Sequence, residues 1–142
     1  EVTDAAISVW GADRVGVHLS PRRDLHDMGD DSPRETFGYV ARELGKRGVA
    51  FICTREKEGD DSLTPFIKEQ FGGLVIANER FTKDQANAWL ADGKADAVAF
   101  GVPYIANPDL VERLAQDAPL NEARPELFYA QGPVGYIDYP RL

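Results

Sequence analysis

A single cysteine, Cys53, leaves this chain without an internal disulfide, as suits a reducing, cytoplasmic setting. Its place inside a strand-like run reads as a small buried hydrophobe. No apolar run approaches the roughly 20 residues that a membrane-spanning helix needs. No signal peptide is expected either. A basic surplus is also missing: 16 Lys and Arg stand against 24 Asp and Glu, a formal net charge of -8. With no excess cations to displace counterions, nucleic acid is a poor partner. Anionic membrane surfaces are disfavoured for the same reason. A small anionic ligand stays open, because a local site can oppose the global charge.

What is present is globular composition. Of 142 residues, 43% are hydrophobic and 28% charged, which fits one domain-sized unit. The chain opens without methionine on Glu1-Val2-Thr3-Asp4-Ala5-Ala6-Ile7. That pattern resembles the middle of a helix, so the expectation is a piece of something longer.

The same local sentence recurs four times: strand, polar loop, cap, helix, glycine. Arg14–Ser20 alternates as a strand, after a helix ending at Trp10 and Gly11. The polar loop Pro21–Asp31 carries His26, read as solvated with a lid role as the alternative. Ser32-Pro33-Arg34-Glu35 has the form of a capping box with proline at N1. Its helix shows Phe37, Val40, Ala41 and Leu44 at helical spacing and stops at Gly48. Val49–Thr54 is the second strand, and a charged loop follows from Arg55 to Asp61. Thr64-Pro65 caps a short helix that ends at Gly72-Gly73. Leu74–Ala77 is the third strand, and Thr82-Lys83-Asp84-Gln85 is a second capping box.

The fourth unit is the most pointed. Ala97–Phe100 reads as a strand buried on both faces. Gly101 permits a sharp bend or close approach of a ligand. Asn107 is a suitable N-cap, Pro108 suits the first helical position, and Asp109 favours the positive end of the dipole. Free amides after a strand make a seat for phosphate; an ordinary βα turn is the plainer reading of the same residues. The tail, Pro119–Leu142, has no period but holds Phe128, Tyr129, Tyr136 and Tyr139. Disordered tails are poor in aromatics, so it reads as an ordered irregular segment. Four such units predict a parallel α/β sheet with ligand chemistry after the strand ends. Spacing alone does not separate a barrel from an open doubly wound sheet.

Three patterns occur in one order: Asp13-Arg14-Val15-Gly16-Val17-His18-Leu19-Ser20-Pro21; Ala97-Val98-Ala99-Phe100-Gly101 with Ile105-Ala106-Asn107-Pro108-Asp109-Leu110; and Phe128-Tyr129 with Gly135-Tyr136-Ile137-Asp138-Tyr139-Pro140. Together they resemble the C-terminal half of the Old Yellow Enzyme family, nearest its bacterial xenobiotic, nitrate-ester and N-ethylmaleimide reductases. The resemblance covers nearly the whole chain. It implies that residues 1–142 are strands five to eight of a (β/α)8 TIM barrel holding FMN, with 119–142 as the tail. NADPH or NADH would reduce the flavin, and the flavin N5 would pass hydride to an activated alkene, a nitro group or a nitrate ester. The implied partners are a small electrophilic substrate and the N-terminal half of the same barrel.

The resemblance also assigns residues, with departures. His18 lies where most of the family has an arginine beside the flavin N1–C2 edge. Asn78, Glu79 and Arg80 stand where relatives use a glycine-rich turn to offer amides to the phosphate, so Glu79 is expected to point away. Gly101 matches the family glycine after strand eight. Val102 replaces an arginine that pairs with the phosphate, and Arg80 is the nearest candidate to restore that charge. Tyr129 matches a tyrosine lining the substrate pocket, with Phe128 beside the ring system. No catalytic proton donor is assigned within these residues. Two other readings stand beside this one: a flavin-free phosphate-binding half-barrel, such as an isomerase or ligand-binding module, and a half that only scaffolds a partner chain.

Overall fold

The computed structural model describes residues 1–23 and 27–142; His26 lies outside them. Helix α1 (Val2–Trp10) leads through a 3-10 turn at Ala12–Arg14 into strand β1 (Gly16–Leu19). Then come α2 (Pro33–Arg47), β2 (Phe51–Arg55), α3 (Thr64–Phe71), β3 (Leu74–Asn78), α4 (Lys83–Ala91) and β4 (Ala97–Ala99). Short helices α5 (Val102–Ala106) and α6 (Leu110–Gln116) follow, with a 3-10 turn at Pro125–Leu127. The chain divides into two compact units, Glu1–Ala99 and Phe100–Leu142. No helix among the described residues is long and apolar enough to cross a membrane.

In the first unit the strands lie in the order β1-β2-β3-β4, each pair parallel. Right-handed crossovers taken in sequential order put every connecting helix on the same side. A doubly wound sheet must reverse its order to cover both. The order therefore answers what spacing left open, in favour of barrel-type winding. Register confirms two unlike faces. Val17, Ile52 and Val75 share one row; His18, Cys53, Ile76 and Ala97 share the next and point the other way. The first row meets the helices: Ile52 and Val75 are fully buried among Ala41 and Leu44 of α2 and Ile67 and Phe71 of α3. On the other face Leu74 is 59% exposed and Phe51 37%. Strand β4 departs from the expected double burial for the same reason. Ala97 is exposed, and Val98 and Ala99 are half-buried, because β4 is an edge strand with one covered face among the described residues.

Local chemistry explains the helices. Gly48 closes α2 in the left-handed region at φ 65, its N–H reaching the carbonyls of Gly45 and Leu44. Gly45 lets α2 and α3 approach: a Cβ there would stand 2.4 Å from the Phe71 carbonyl oxygen. The Thr82–Gln85 capping box forms in both directions, with Gln85 N donating to Thr82 Oγ1 at 3.2 Å and Thr82 N to Gln85 Oε1 at 3.0 Å. The expected Ser32–Glu35 box does not form. Ser32 N donates to Asp30 Oδ1 at 2.7 Å instead, so the amide that Glu35 would have accepted is already taken.

Candidate functional site

The loops at the C-terminal ends of β1, β2 and β3 hold the densest polar chemistry of the first unit. The run after β2 reads in the sequence as a charged loop with Thr64 as the cap of α3. The arrangement is different. Arg55 is the last residue of β2, Leu63 is the N-cap, and Glu56 is only 3% exposed. The Glu56 carboxylate accepts from Arg22 Nε at 2.7 Å, Leu63 N at 3.2 Å, Thr64 N at 2.7 Å and Thr64 Oγ1 at 2.6 Å. It thus satisfies from outside the amides of Leu63 and Thr64 at the start of the helix, which have no intrahelical partner. Arg22 also pairs with Asp61 and donates to the Lys57 carbonyl. The loops after β1 and β2 are tied together through this one buried acid.

The turn after β3 is the second feature. Asn78 ends the strand, in register with Arg55 and Ala99, and its Nδ2 donates to the Ala99 carbonyl at 2.8 Å. Glu79 and Arg80 follow at φ 107 and φ 59, a region that L side chains rarely enter and glycine enters freely. Glu79 is held by two guanidiniums: Arg23 Nη1 donates to Oε1 and Arg55 Nε to Oε2, each at 3.2 Å. Arg80 is exposed and makes no hydrogen bond or ion pair among the described residues.

His18 lies on β1 with its side chain on the uncovered face, exposed, in the row of Cys53, Ile76 and Ala97. Cys53 is half-buried, and that burial pushes its thiol up. His18 and Asn78 thus share a sheet face, two rows apart at the C-terminal end. Both arginines on Glu79 went unassigned in the sequence, as did the burial of Glu56. The signal for Glu56 was weak: a lone acid in a charged run looks solvated.

In the second unit α5 begins directly after Gly101, and Val102 is its exposed first residue. Gly101 has φ -92, which does not demand glycine; a Cβ there would meet nothing within 4 Å. The helix expected from Pro108 starts at Leu110 with Asp109 as N-cap. Asn107 does not cap it. Its Nδ2 donates to the Pro103 carbonyl at 2.8 Å and its Oδ1 accepts from Asn121 N at 2.7 Å, so the amide is spent pinning the tail. Asp109 pairs with buried Arg113 at 2.7 Å and accepts from Leu142 N at 2.7 Å. Arg113 donates on to the carbonyls of Pro119 and Pro140. Arg113's hydrogen bond holds the Asp109 carboxyl below the usual carboxylate range. Tyr139 is buried and its hydroxyl accepts from Arg124 N at 2.9 Å. Tyr129 stands 97% exposed, and Phe128 is half-buried.

A sequential parallel sheet with helices on one face and polar loops at its C-terminal mouth defines the class of (β/α)8 barrel proteins, whose sites are built from such loops. Residues 1–121 match the NADH:flavin oxidoreductase / NADH oxidase family, and the chain belongs to that family. It is 40% identical over its whole length to the putative 12-oxophytodienoate reductase 3 of Oryza sativa subsp. japonica, covering 40% of that protein. It is 36% identical, over 99% of its length, to the probable flavin mononucleotide-dependent alkene reductase of Leishmania infantum, covering 39% of it. Among solved structures it matches the old yellow enzyme homologue of Zymomonas mobilis with a TM-score of 0.94 at 36% identity, over 99% of this chain and 42% of that one. The chain thus spans about 40% of the length of the curated relatives it matches. Its four strands are the portion of the (β/α)8 barrel that the motifs place in the C-terminal half.

Proposed function

We propose that this chain is the half of an FMN-dependent ene reductase that receives the flavin along strands five to eight, with the other half of the barrel covering the open sheet face. The observation that carries this reading is that face. Hydrophobic side chains such as Leu74 and Phe51, with His18 beside them, line a surface that no described helix covers, and a barrel interior is where such a surface is packed. The donor set fits the cofactor. His18 brings an N–H to a flat apolar surface. Two consecutive left-handed residues follow β3 and end at Arg80, whose guanidinium has no partner among the described residues.

FMN, when bound, supplies the two-electron carrier between NADPH or NADH and an activated alkene, nitro compound or nitrate ester. This chain's residues bind and orient it. His18 would donate a hydrogen bond to the N1–C2 edge of the ring. The Asn78–Arg80 turn and the Gly101–Val102 segment would serve the phosphate, with Arg80 providing the cation that Val102 does not. Tyr129 would line the substrate pocket. The proton donor lies outside these residues, so the partner half is needed for turnover, and a cytoplasmic location suits the single cysteine.

The test is optical. The full-length protein should be yellow and bleach with NADPH, then regain colour when an activated alkene is added. A colourless protein that takes up no FMN with both halves present would reject the proposal in favour of a flavin-free phosphate-binding barrel. The 142 residues alone should self-associate and reduce no alkene.

A further inference from the structure

We infer that Glu79 is a positioning residue: the Arg23–Glu79–Arg55 clamp holds the turn after β3 in its left-handed shape and screens the carboxylate from the flavin phosphate. The screening role rests on the FMN reading above. The clamp draws on three separate strand ends: Arg23 follows β1, Arg55 closes β2 and Glu79 follows β3. Glu79 and Arg80 stand at φ 107 and φ 59, a costly conformation for two successive side chains, which persists only where surrounding contacts fix it. The contacts that fix it are the two 3.2 Å ion pairs on one largely buried carboxylate. Glycine would adopt this backbone unaided; here charge does what the absence of a side chain would do.

The electrostatic consequence follows from counting charges. An uncompensated acid beside a phosphate would repel it. Two guanidiniums on one carboxylate leave a surplus positive charge, and exposed Arg80 adds another. Among the described residues the turn is cationic although an acid sits in it.

The experiment is a variant set in the full-length protein, read by FMN titration and by thermal unfolding without flavin. Glu79→Ala should bind FMN about tenfold more weakly than Glu79→Gly, because glycine adopts this backbone without the clamp and alanine does not. Arg23→Ala with Arg55→Ala should also cost about tenfold or more, by baring the carboxylate. Adding Glu79→Gly to that pair should restore the affinity of Glu79→Gly alone. Failure of the triple variant to recover would mean that the arginines touch the phosphate themselves, which overturns the screening role. Equal behaviour of Ala and Gly at position 79, in FMN affinity and in flavin-free Tm, overturns the clamp. A wild type that takes up no FMN removes the flavin reading and the screening with it; the Ala–Gly order in the flavin-free melts still decides whether the clamp holds the turn.

Discussion

On the helix-covered face of the sheet, Ile52 and Val75 are fully buried between α2 and α3, while one residue along the same strands Cys53 and Ile76 turn to a face that also carries exposed His18 and Leu74. The two faces differ by a single step in sequence, because side chains alternate along a strand. The covered face secures the fold with apolar area from amphipathic helices. The open face has little to lose in stability and holds the candidate ligand contacts. A similar division runs along the strands. Asp96, just before β4, pins the N-terminal end through Lys68 Nζ and Val75 N, and the C-terminal mouth gathers Arg22, Glu56, Arg23, Arg55 and Glu79. Stability and candidate chemistry are segregated by face and by end.

A pair of truncations separates the two faces most strongly. Ile52→Ala should cost about 2–5 kcal/mol, as large-to-small changes in packed cores do. Leu74→Ala on the open face should stay within about 0.5 kcal/mol. Urea denaturation of the 142-residue chain, at a dilution where it is monomeric, measures both, and equal losses would abolish the distinction between the faces. A smaller effect belongs to His18. If it donates to the flavin N1–C2 edge, His18→Ala should lower the flavin potential by about 30–60 mV, the equivalent of one charge-assisted hydrogen bond. An unchanged potential would take His18 out of the site.

At the mouth, Arg80→Ala should weaken FMN retention by about tenfold, as one charge-assisted contact is worth, and leave riboflavin binding nearly untouched. Equal loss of both ligands would show that Arg80 supports the fold instead. Val102→Arg should tighten FMN. The smallest effect concerns the opposite end. Lys68's hydrogen bond and the Val75 N–H hold the Asp96 carboxyl below the usual carboxylate range. A carboxyl depressed in the folded state adds stability that is complete above its unfolded pKa and is lost as pH falls through the folded value. Acid titration of the wild type should therefore show a small extra loss below about pH 4, within the ~0–1 kcal/mol of a solvent-screened pair. Asp96→Asn should remove it, and FMN affinity at neutral pH should not change.

Much of the architecture was legible in the residues. Gly48, Pro33 and the Thr82–Gln85 box act within one or two helical turns, and each stands where local chemistry placed it. The fourth unit was less legible. The Asn107-Pro108-Asp109 run carries three helix-start signals, yet the helix begins at Leu110 because Asn107 is committed to Asn121 and Pro103. Ser32 lost its box to Asp30. In both cases a competing partner for the same polar group decided the outcome.

The order of the βα units, the alternation that gives each strand two faces, and the motifs that resemble one flavoprotein family are all written along the chain. These depend on spacing over a few residues, where propensity and periodicity act. Tertiary structure alone decided that all crossovers cover one face, that Glu56 is buried, and that Glu79 answers to Arg23, 56 residues before it, and to Arg55, 24 before it. Such pairings depend on which strand ends the sheet brings together. A charged residue in a loop looks the same along the chain whether water or a guanidinium awaits it.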